Sequence, residues 1–360
     1  MNIIIESHIP YIGDTLDDLG SVRRLAPEEF TPEAVADADA LIVRTRTRCD
    51  ASLLSGSKVR FVATATIGTD HIDLPWCAAN GITTVSAPGC NAPAVAQYVW
   101  ASLLRLLPSV EGKTIGIVGL GHVGSIVAAW GFRLGVRVLA CDPPRQRRDG
   151  GWNTVSPYEA GGEPFVSLAH IAREADIITF HTPLIRSGED CTFHMASRDL
   201  FRSLLRKPII INAARGAVAD NAALVEALKE GLVSAAVMDC WEGEPSISPE
   251  LLELAAVATP HIAGYSIEGK QRAPAACIAA LRRFAGQEAV DAVGEMPAAS
   301  TCTDAQDVDP ALFGQRILAS YDPFADTERL RADKSSFETL RNNYLLRHEV
   351  WTSRHPRLKD

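Results

Sequence analysis

The chain lacks any run of about 18 apolar residues, so no membrane-spanning helix is expected. It also lacks a Cys-x-x-Cys pair. Its eight cysteines, at positions 49, 77, 90, 141, 191, 240, 277 and 302, are scattered, and no Cys/His group has zinc-ligand spacing. No bound metal is therefore expected, and buried free thiols in a reducing cytoplasm are. Basic residues are in deficit: 35 Lys and Arg against 44 Asp and Glu give a net charge of −9, which argues against a nucleic-acid-binding surface. The opening Met1-Asn-Ile-Ile-Ile-Glu6 has no basic region and too short an apolar run for a signal peptide. It reads as a first β-strand. What remains is ordinary globular composition, 47% hydrophobic and 22% charged, in 360 residues, enough for two or three domains.

Strand-like apolar runs alternate with helical patterns over most of the length. Ile3–Ile5, Leu41–Val43, Phe61–Ala63 and Ile82–Val85 form a first series. A long helix is predicted from Ala92 to about Leu107, with Asn91 as its N-cap and Pro108 as its stop. A second series follows: Thr114–Val118, Arg137–Ala140, Ile177–Phe180, Ile209–Ile211, Ser234–Met238 and Val257–Ala258. This βαβ rhythm predicts an α/β protein with two Rossmann-like parallel-sheet domains. A helical pattern from Ser266 to about Phe284 is expected to return to the first domain and make it discontinuous. Ala289 to Asp309 reads as an irregular linker, and the remainder as charged and helical. Its apolar anchors are few (Leu312, Phe313, Leu330, Phe337, Leu340 and Leu345), so this tail needs a partner surface.

Gly119, Gly121 and Gly124 stand in G-x-G-x-x-G spacing between an apolar strand and a helical run. There the glycines permit a tight turn, close approach of a pyrophosphate, and close helix–strand packing. The free N–H groups of the helix start favour the anion. His122 and Val123 complete this loop. Asp142 ends the next strand, 23 residues after Gly119, where an acid is suited to the adenosine ribose hydroxyls. Its charge favours NAD over NADP. Arg145, Arg147 and Arg148, close behind, could serve a 2′-phosphate or be solvated loop residues.

Three residues each follow a strand-like run: Arg215 in Ile211-Asn-Ala-Ala-Arg-Gly216, Glu244 in Met238-Asp-Cys-Trp-Glu-Gly-Glu-Pro245, and His261 in Thr259-Pro-His-Ile-Ala-Gly264. Together they suit oxidation of a hydroxy acid. Arginine holds the carboxylate, histidine takes the hydroxyl proton, and the acid orients and charges the histidine. With Val118–Gly124 and His181-Thr-Pro183, these motifs resemble the D-isomer-specific 2-hydroxyacid dehydrogenases over roughly residues 1–285. The resemblance implies catalysis by Arg215, Glu244 and His261. It also implies that Thr182, Asp239 and Gly264 line the nicotinamide side of the cofactor site.

Narrower motifs, Phe61–His71, Ala87–Ala92, Cys141-Asp-Pro-Pro144, Trp241–Pro245 and His261–Ser266, are similar to one branch of that family. Its members oxidise 4-phospho-D-erythronate to (R)-3-hydroxy-2-oxo-4-phosphooxybutanoate in the making of pyridoxal 5′-phosphate. Leu340-Arg-Asn-Asn-Tyr-Leu345 is similar to that branch's C-terminal dimerisation domain. The resemblance implies a homodimer, and an organisation of 1–92 with 266–285 (substrate-binding, flavodoxin-like), 93–265 (NAD-binding) and 286–360 (dimerisation). Thr45, Thr66 and Tyr265 match the branch's substrate positions. Arg44-Thr-Arg-Thr-Arg48 follows a predicted strand, and its guanidinium groups, those of Arg44 and Arg46 among them, suit a substrate phosphate. If the segment is extended, its arginines share one face; otherwise it is a solvated edge. Residues 145–162 read as an inserted polar loop.

Two other readings compete. Phosphoglycerate dehydrogenase, or another D-2-hydroxyacid dehydrogenase, would use the same trio on a different acid. A nucleotide-sensing corepressor would keep the fold for partner binding, with disordered tails that this chain hardly shows.

Overall fold

The computed structural model describes residues 1–287 and 309–350, so the predicted linker lies, up to residue 308, outside the described residues. The described chain divides into two compact units. One holds residues 1–91 and 267–287, the other 92–266 and 309–350.

The first unit is built on five parallel strands: β1 (Asn2–Glu6), β2 (Ser21–Leu25), β3 (Ala40–Val43), β4 (Phe61–Thr64) and β5 (Thr83–Val85), in the order β2-β1-β3-β4-β5. β1, β3 and β4 are almost wholly buried, as apolar runs covered on both faces should be. The pattern missed β2. It is an edge strand with mostly exposed side chains, including Arg23 and Arg24, so nothing selects apolar residues there. The helix Ile267–Phe284 joins this unit, with Phe284 against Phe61 (ring centroids 5.1 Å apart) and Arg282 bonded to Asp18 and the Thr15 carbonyl. Residues far apart in sequence thus share one core.

The second unit has a six-stranded parallel sheet. Its strands are β6 (Thr114–Val118), β7 (Arg137–Cys141), β10 (Ile177–Phe180), β11 (Ile209–Asn212), β12 (Ala235–Met238) and β13 (Val257–Ala258), ordered β13-β12-β11-β10-β6-β7. A short antiparallel pair, β8 (Gly151–Trp152) and β9 (Glu163–Pro164), forms within the segment read as a polar loop. The chain leaves β6 toward β7 on one side, while β10 lies on the other, so the order reverses between β6 and β10. A crevice opens at the carboxyl ends of such a pair.

The tail supplies helices Pro310–Ser320, Pro323–Ala332 and Phe337–Asn342 to this second unit. Phe313 is fully buried edge-on against Trp130, 5.5 Å between ring centroids, and Leu330 and Phe337 join the core beside β10 to β13. The Thr327 hydroxyl accepts the Ala258 N–H at 2.9 Å. The partner surface these three anchors require is therefore supplied by the chain itself, whereas Leu312 and Leu345 remain exposed.

Candidate active site

The glycine loop sits at the reversal point. Gly119 has φ +90°, and a Cβ there would lie 2.8 Å from the His181 carbonyl oxygen. One on Gly124 would lie 2.1 Å from the Gly119 oxygen, so both positions require glycine. Gly121 is exposed and a Cβ there would meet nothing, so its backbone faces open space. His122 opens the helix His122–Arg133, and Val123 and Gly124 lie in its first turn. Asp142 directly follows β7, with one carboxylate oxygen on the Leu120 N–H at 2.8 Å and the other capping the next helix at the Arg145 N–H. It thus ties the end of β7 to the glycine loop.

Arg145 is neither a solvated arginine nor a ligand for a 2′-phosphate. Its side chain is buried, and it donates to the carbonyls of Leu120 and Pro157 at 2.8 and 2.7 Å, to those of Tyr158 and Glu159, and to Asp149. It binds the inserted segment to the glycine loop. The Tyr158 hydroxyl adds a bond to the His122 carbonyl.

After β10, the Thr182 hydroxyl is buried, with no hydrogen-bond partner among the described residues, and so is Nδ1 of His181. An unpaired buried hydroxyl costs about 1–3 kcal/mol. Beside the glycine loop, it is a donor and acceptor still available to a cofactor.

The trio sits on three interlocked loops. Arg215 follows β11, where the Asn212 carboxamide donates to the carbonyls of Arg215 and Gly216 at 2.9 and 3.3 Å. Gly216 approaches the Trp241 backbone so closely that a Cβ would lie 1.9 Å from its carbonyl oxygen. Trp241 is buried; its indole N–H donates to the Thr259 carbonyl at 2.9 Å and its backbone N–H to Glu244 at 2.8 Å. The other Glu244 oxygen meets His261 Nδ1 at 2.8 Å.

His261 has φ +57°, a conformation costing a non-glycine residue about 1–3 kcal/mol. Asp239 supplies what holds it. Its carboxylate, buried to 1% exposure, accepts from the Thr259 hydroxyl at 2.7 Å and from the N–H groups of Ile262 and Ala263 at 2.8 and 3.0 Å. Its own carbonyl accepts the His261 N–H. Asp239 therefore clamps the histidine loop on both sides of His261, a role its place in the motif did not disclose. Burial raises its carboxyl above the usual range against these bonds.

Burial also works against charge on His261, but the Cys240 sulfur and Glu244 carboxylate raise its pKa well above the ordinary histidine value. Burial keeps the Cys240 thiol itself raised, so the full negative charge near neutrality is that of Glu244. Burial would push Glu244 up, yet His261, the Trp241 N–H and the charge of Arg341 outweigh it and hold it low. The result is an imidazolium–carboxylate pair with side chains 29% and 19% exposed. Cys240, Glu244 and His261 bring one potential ligand atom each within 4.8 Å of one another.

Gly264 and Tyr265 continue the histidine loop and are half-buried. In the first unit, Thr66 follows β4 and its hydroxyl donates to the Gly68 carbonyl. The Arg44–Arg48 run is a turn after the central strand β3, neither extended nor an edge. Arg44 donates to the His8 carbonyl, Arg48 pairs with Asp50, Arg46 lines a cleft of about 280 Å³ with Pro27 and Phe30, and Thr45 is exposed. Arg46 and Arg48 line this cleft together while Arg44 turns to His8, so the three arginines do not share one face.

Residues 92–263 match the family model of the D-isomer specific 2-hydroxyacid dehydrogenase NAD binding domain. The glycine loop, Asp142 and the unpaired Thr182 hydroxyl fit that cofactor. The second unit is thus the NAD-binding part of a 2-hydroxyacid dehydrogenase, and its cofactor is NAD. Across the whole chain, a Bacteroides thetaiotaomicron protein named erythronate-4-phosphate dehydrogenase is 45% identical over 355 residues, covering 97% of each chain. An Escherichia coli protein of the same name is 41% identical over 364 residues, covering 98% of this chain and 93% of its own. Among solved structures, a Thermus thermophilus protein superposes with TM-score 0.65 at 28% identity, over 80% of this chain and 98% of its own. The D-lactate dehydrogenase of Aquifex aeolicus, complexed with NAD and lactic acid, gives 0.64 at 23% identity, over 79% and 96%. The chain belongs to the erythronate-4-phosphate dehydrogenase family. No helix among the described residues is long and apolar enough to cross a membrane.

Proposed function

We propose that this protein oxidises 4-phospho-D-erythronate to (R)-3-hydroxy-2-oxo-4-phosphooxybutanoate, a step in the making of pyridoxal 5′-phosphate. The observation that carries this reading is the His261–Glu244 pair at 2.8 Å, in a chain that matches its named relatives over nearly its whole length. Arg215 binds the substrate carboxylate and the oxygen on carbon 2 through its planar fork. His261 acts in the fraction of the protein in which it has lost its Nε2 proton: Nε2 then takes the hydroxyl proton while Glu244 keeps Nδ1 protonated and offsets the charge that forms. NAD bound at the glycine loop supplies the hydride acceptor. Gly119, Gly121, His122, Val123, Gly124, Asp142, Thr182, Asp239 and Gly264 form its site, Asp239 through the loop it clamps. Arg44, Thr45, Arg46 and Thr66 on the first unit, and Tyr265 on the second, bind substrate.

We also propose a cytoplasmic homodimer. The seven described cysteines are free thiols, and Leu312 and Leu345, at 44% and 89% exposure, are tail side chains that a second copy would cover.

The test is NADH formation with 4-phospho-D-erythronate, 3-phosphoglycerate and unphosphorylated 2-hydroxy acids, for the intact protein and for His261→Ala. The first acid should give the highest kcat/KM, and His261→Ala should abolish turnover while still binding NAD. Faster oxidation of 3-phosphoglycerate would overturn the substrate; an active His261→Ala would overturn the mechanism.

A further inference from the structure

The loop that bears His261 is held from two sides. On one side the Asp239 carboxylate accepts the N–H groups of Ile262 and Ala263, at 2.8 and 3.0 Å. On the other, Arg347 of the tail donates to the carbonyls of the same two residues, Ile262 at 3.1 Å and Ala263, and to that of Tyr265 at 3.3 Å. The peptide joining Ile262 to Ala263 is thus gripped at both ends, its N–H by a carboxylate and its C=O by a guanidinium. The peptides on either side of it are each gripped at one end. Further along the loop, the Ser266 hydroxyl donates to Glu349 at 2.8 Å, and Ser266 and Arg347 pair as a short parallel bridge.

Arg347 is itself firmly anchored. It is buried, and its remaining N–H groups go to the Ala94 carbonyl at 3.2 Å and the Gln97 side chain at 3.1 Å, both on the helix Ala92–Leu106. The guanidinium lies over the Tyr321 ring, 4.1 Å from its centroid. Gln97, buried as well, donates in turn to the Ser320 hydroxyl at 2.8 Å and the His348 carbonyl at 3.1 Å. A guanidinium has five N–H groups in a fixed fork, and this one is filled by acceptors on the helix and on the loop.

The loop needs such a grip. With φ +57°, His261 lies where a side chain is strained, and it stays there while the flanking peptides are fixed. Asp239 fixes their N–H ends, and Arg347 fixes the carbonyl ends. Loss of Arg347 would leave the loop free to relax about His261, and the 2.8 Å contact from Nδ1 to Glu244 would go with it.

We propose that Arg347, with Glu349 beside it, is a positioning residue for His261, so that the tail sets the place of the proton-accepting imidazole through the backbone of its loop. This rests on the role given to His261 above. The test compares full-length wild type with Arg347→Gln, Arg347→Lys and Ser266→Ala. It measures kcat and KM with 4-phospho-D-erythronate and NAD, the number of sites titrated by NADH, and the imidazole NMR signal of His261, assigned by its loss in His261→Ala. Arg347→Gln should lower kcat per NADH site about a hundredfold, as a shift of about 1 Å in a catalytic group does, with little change in KM for NAD. Its His261 signal should shift or broaden. Lysine keeps the charge but cannot fill the fork, so Arg347→Lys should regain part of the lost kcat. An unchanged kcat per NADH site, as when activity falls only in step with the folded fraction, would overturn the proposal, and so would an unchanged His261 signal. If Arg347→Gln does not fold, Ser266→Ala decides, because it cuts the same seam at the Glu349 bond. A several-fold fall in kcat per NADH site is then expected, and wild-type kcat overturns the proposal. If wild type does not oxidise 4-phospho-D-erythronate, the substrate reading fails by itself. The His261 signal then decides on Arg347: no change in the folded variant overturns it.

Discussion

Gly216→Ala is the sharpest probe of how the loops bearing Arg215, Glu244 and His261 depend on one another. The added Cβ would lie 1.9 Å from the Trp241 carbonyl oxygen, 2.1 Å from its carbon and 2.7 Å from the Glu242 nitrogen. These are backbone atoms and cannot rotate aside. Relief to an ordinary contact of about 3.4 Å requires roughly 1.5 Å of separation between the loop bearing Arg215 and the loop bearing Glu244. Misplacement of about 1 Å in a catalytic constellation costs about a hundredfold in rate, or about 2.7 kcal/mol of barrier. Overpacking adds about 1–3 kcal/mol of lost stability, a fall in Tm of several degrees for a protein of this size. The assay is kcat/KM by NADH formation, beside an NADH titration by fluorescence and a thermal melt. A hundredfold fall in kcat/KM with NADH affinity retained is expected, because the glycine loop lies elsewhere. A lower Tm with kcat/KM intact would refute the reasoning, since the loops would then move without disturbing the chemistry.

Gly121→Ala should leave Tm unchanged, because its Cβ meets no protein atom, yet raise KM for NAD about tenfold or more by blocking the pyrophosphate; an unchanged KM for NAD would show that the pyrophosphate does not approach this residue. Glu244→Gln removes a charge that holds His261 protonated. Oxidation needs neutral imidazole, so wild-type activity should rise with pH along a limb above the ordinary histidine range, and in Glu244→Gln that limb should move to lower pH. The stability that His261 contributes is complete below the ordinary histidine range and is lost as pH rises through its raised folded value, so Glu244→Gln should destabilise the protein most at acid-to-neutral pH. A limb that stays in place would assign the titration to another group.

Much of this was legible in the sequence because burial on both faces leaves a plain trace. The apolar runs at residues 3–5, 41–43 and 177–180 are strands for that reason. β2 left no trace because an edge strand can be charged. Gly119 and Gly124 were readable from spacing, and the structure shows the carbonyl oxygens that make them obligatory. Arg215, Glu244 and His261 stood out by residue type after strands. Residues that act through backbone carbonyls were invisible: Arg145 and Arg347 are arginines in charged stretches, and nothing in the sequence distinguishes a buried guanidinium holding carbonyls from a solvated one. Asp239 was noticed as a cofactor residue, but its clamp on the His261 loop depends on three donors whose convergence is purely spatial.

The bonds from Arg347 to Ile262, Ala263, Tyr265 and Ala94 also bear on the order of synthesis. The glycine loop, β6 to β13 and His261 all leave the ribosome well before residue 347 exists. Until then, three carbonyls close to His261 lack the donor that Arg347 gives them. A nascent chain can therefore assemble the nucleotide sheet, but its histidine loop gains these bonds only once residue 347 has been made, and a chain stalled shortly before that point would lack them.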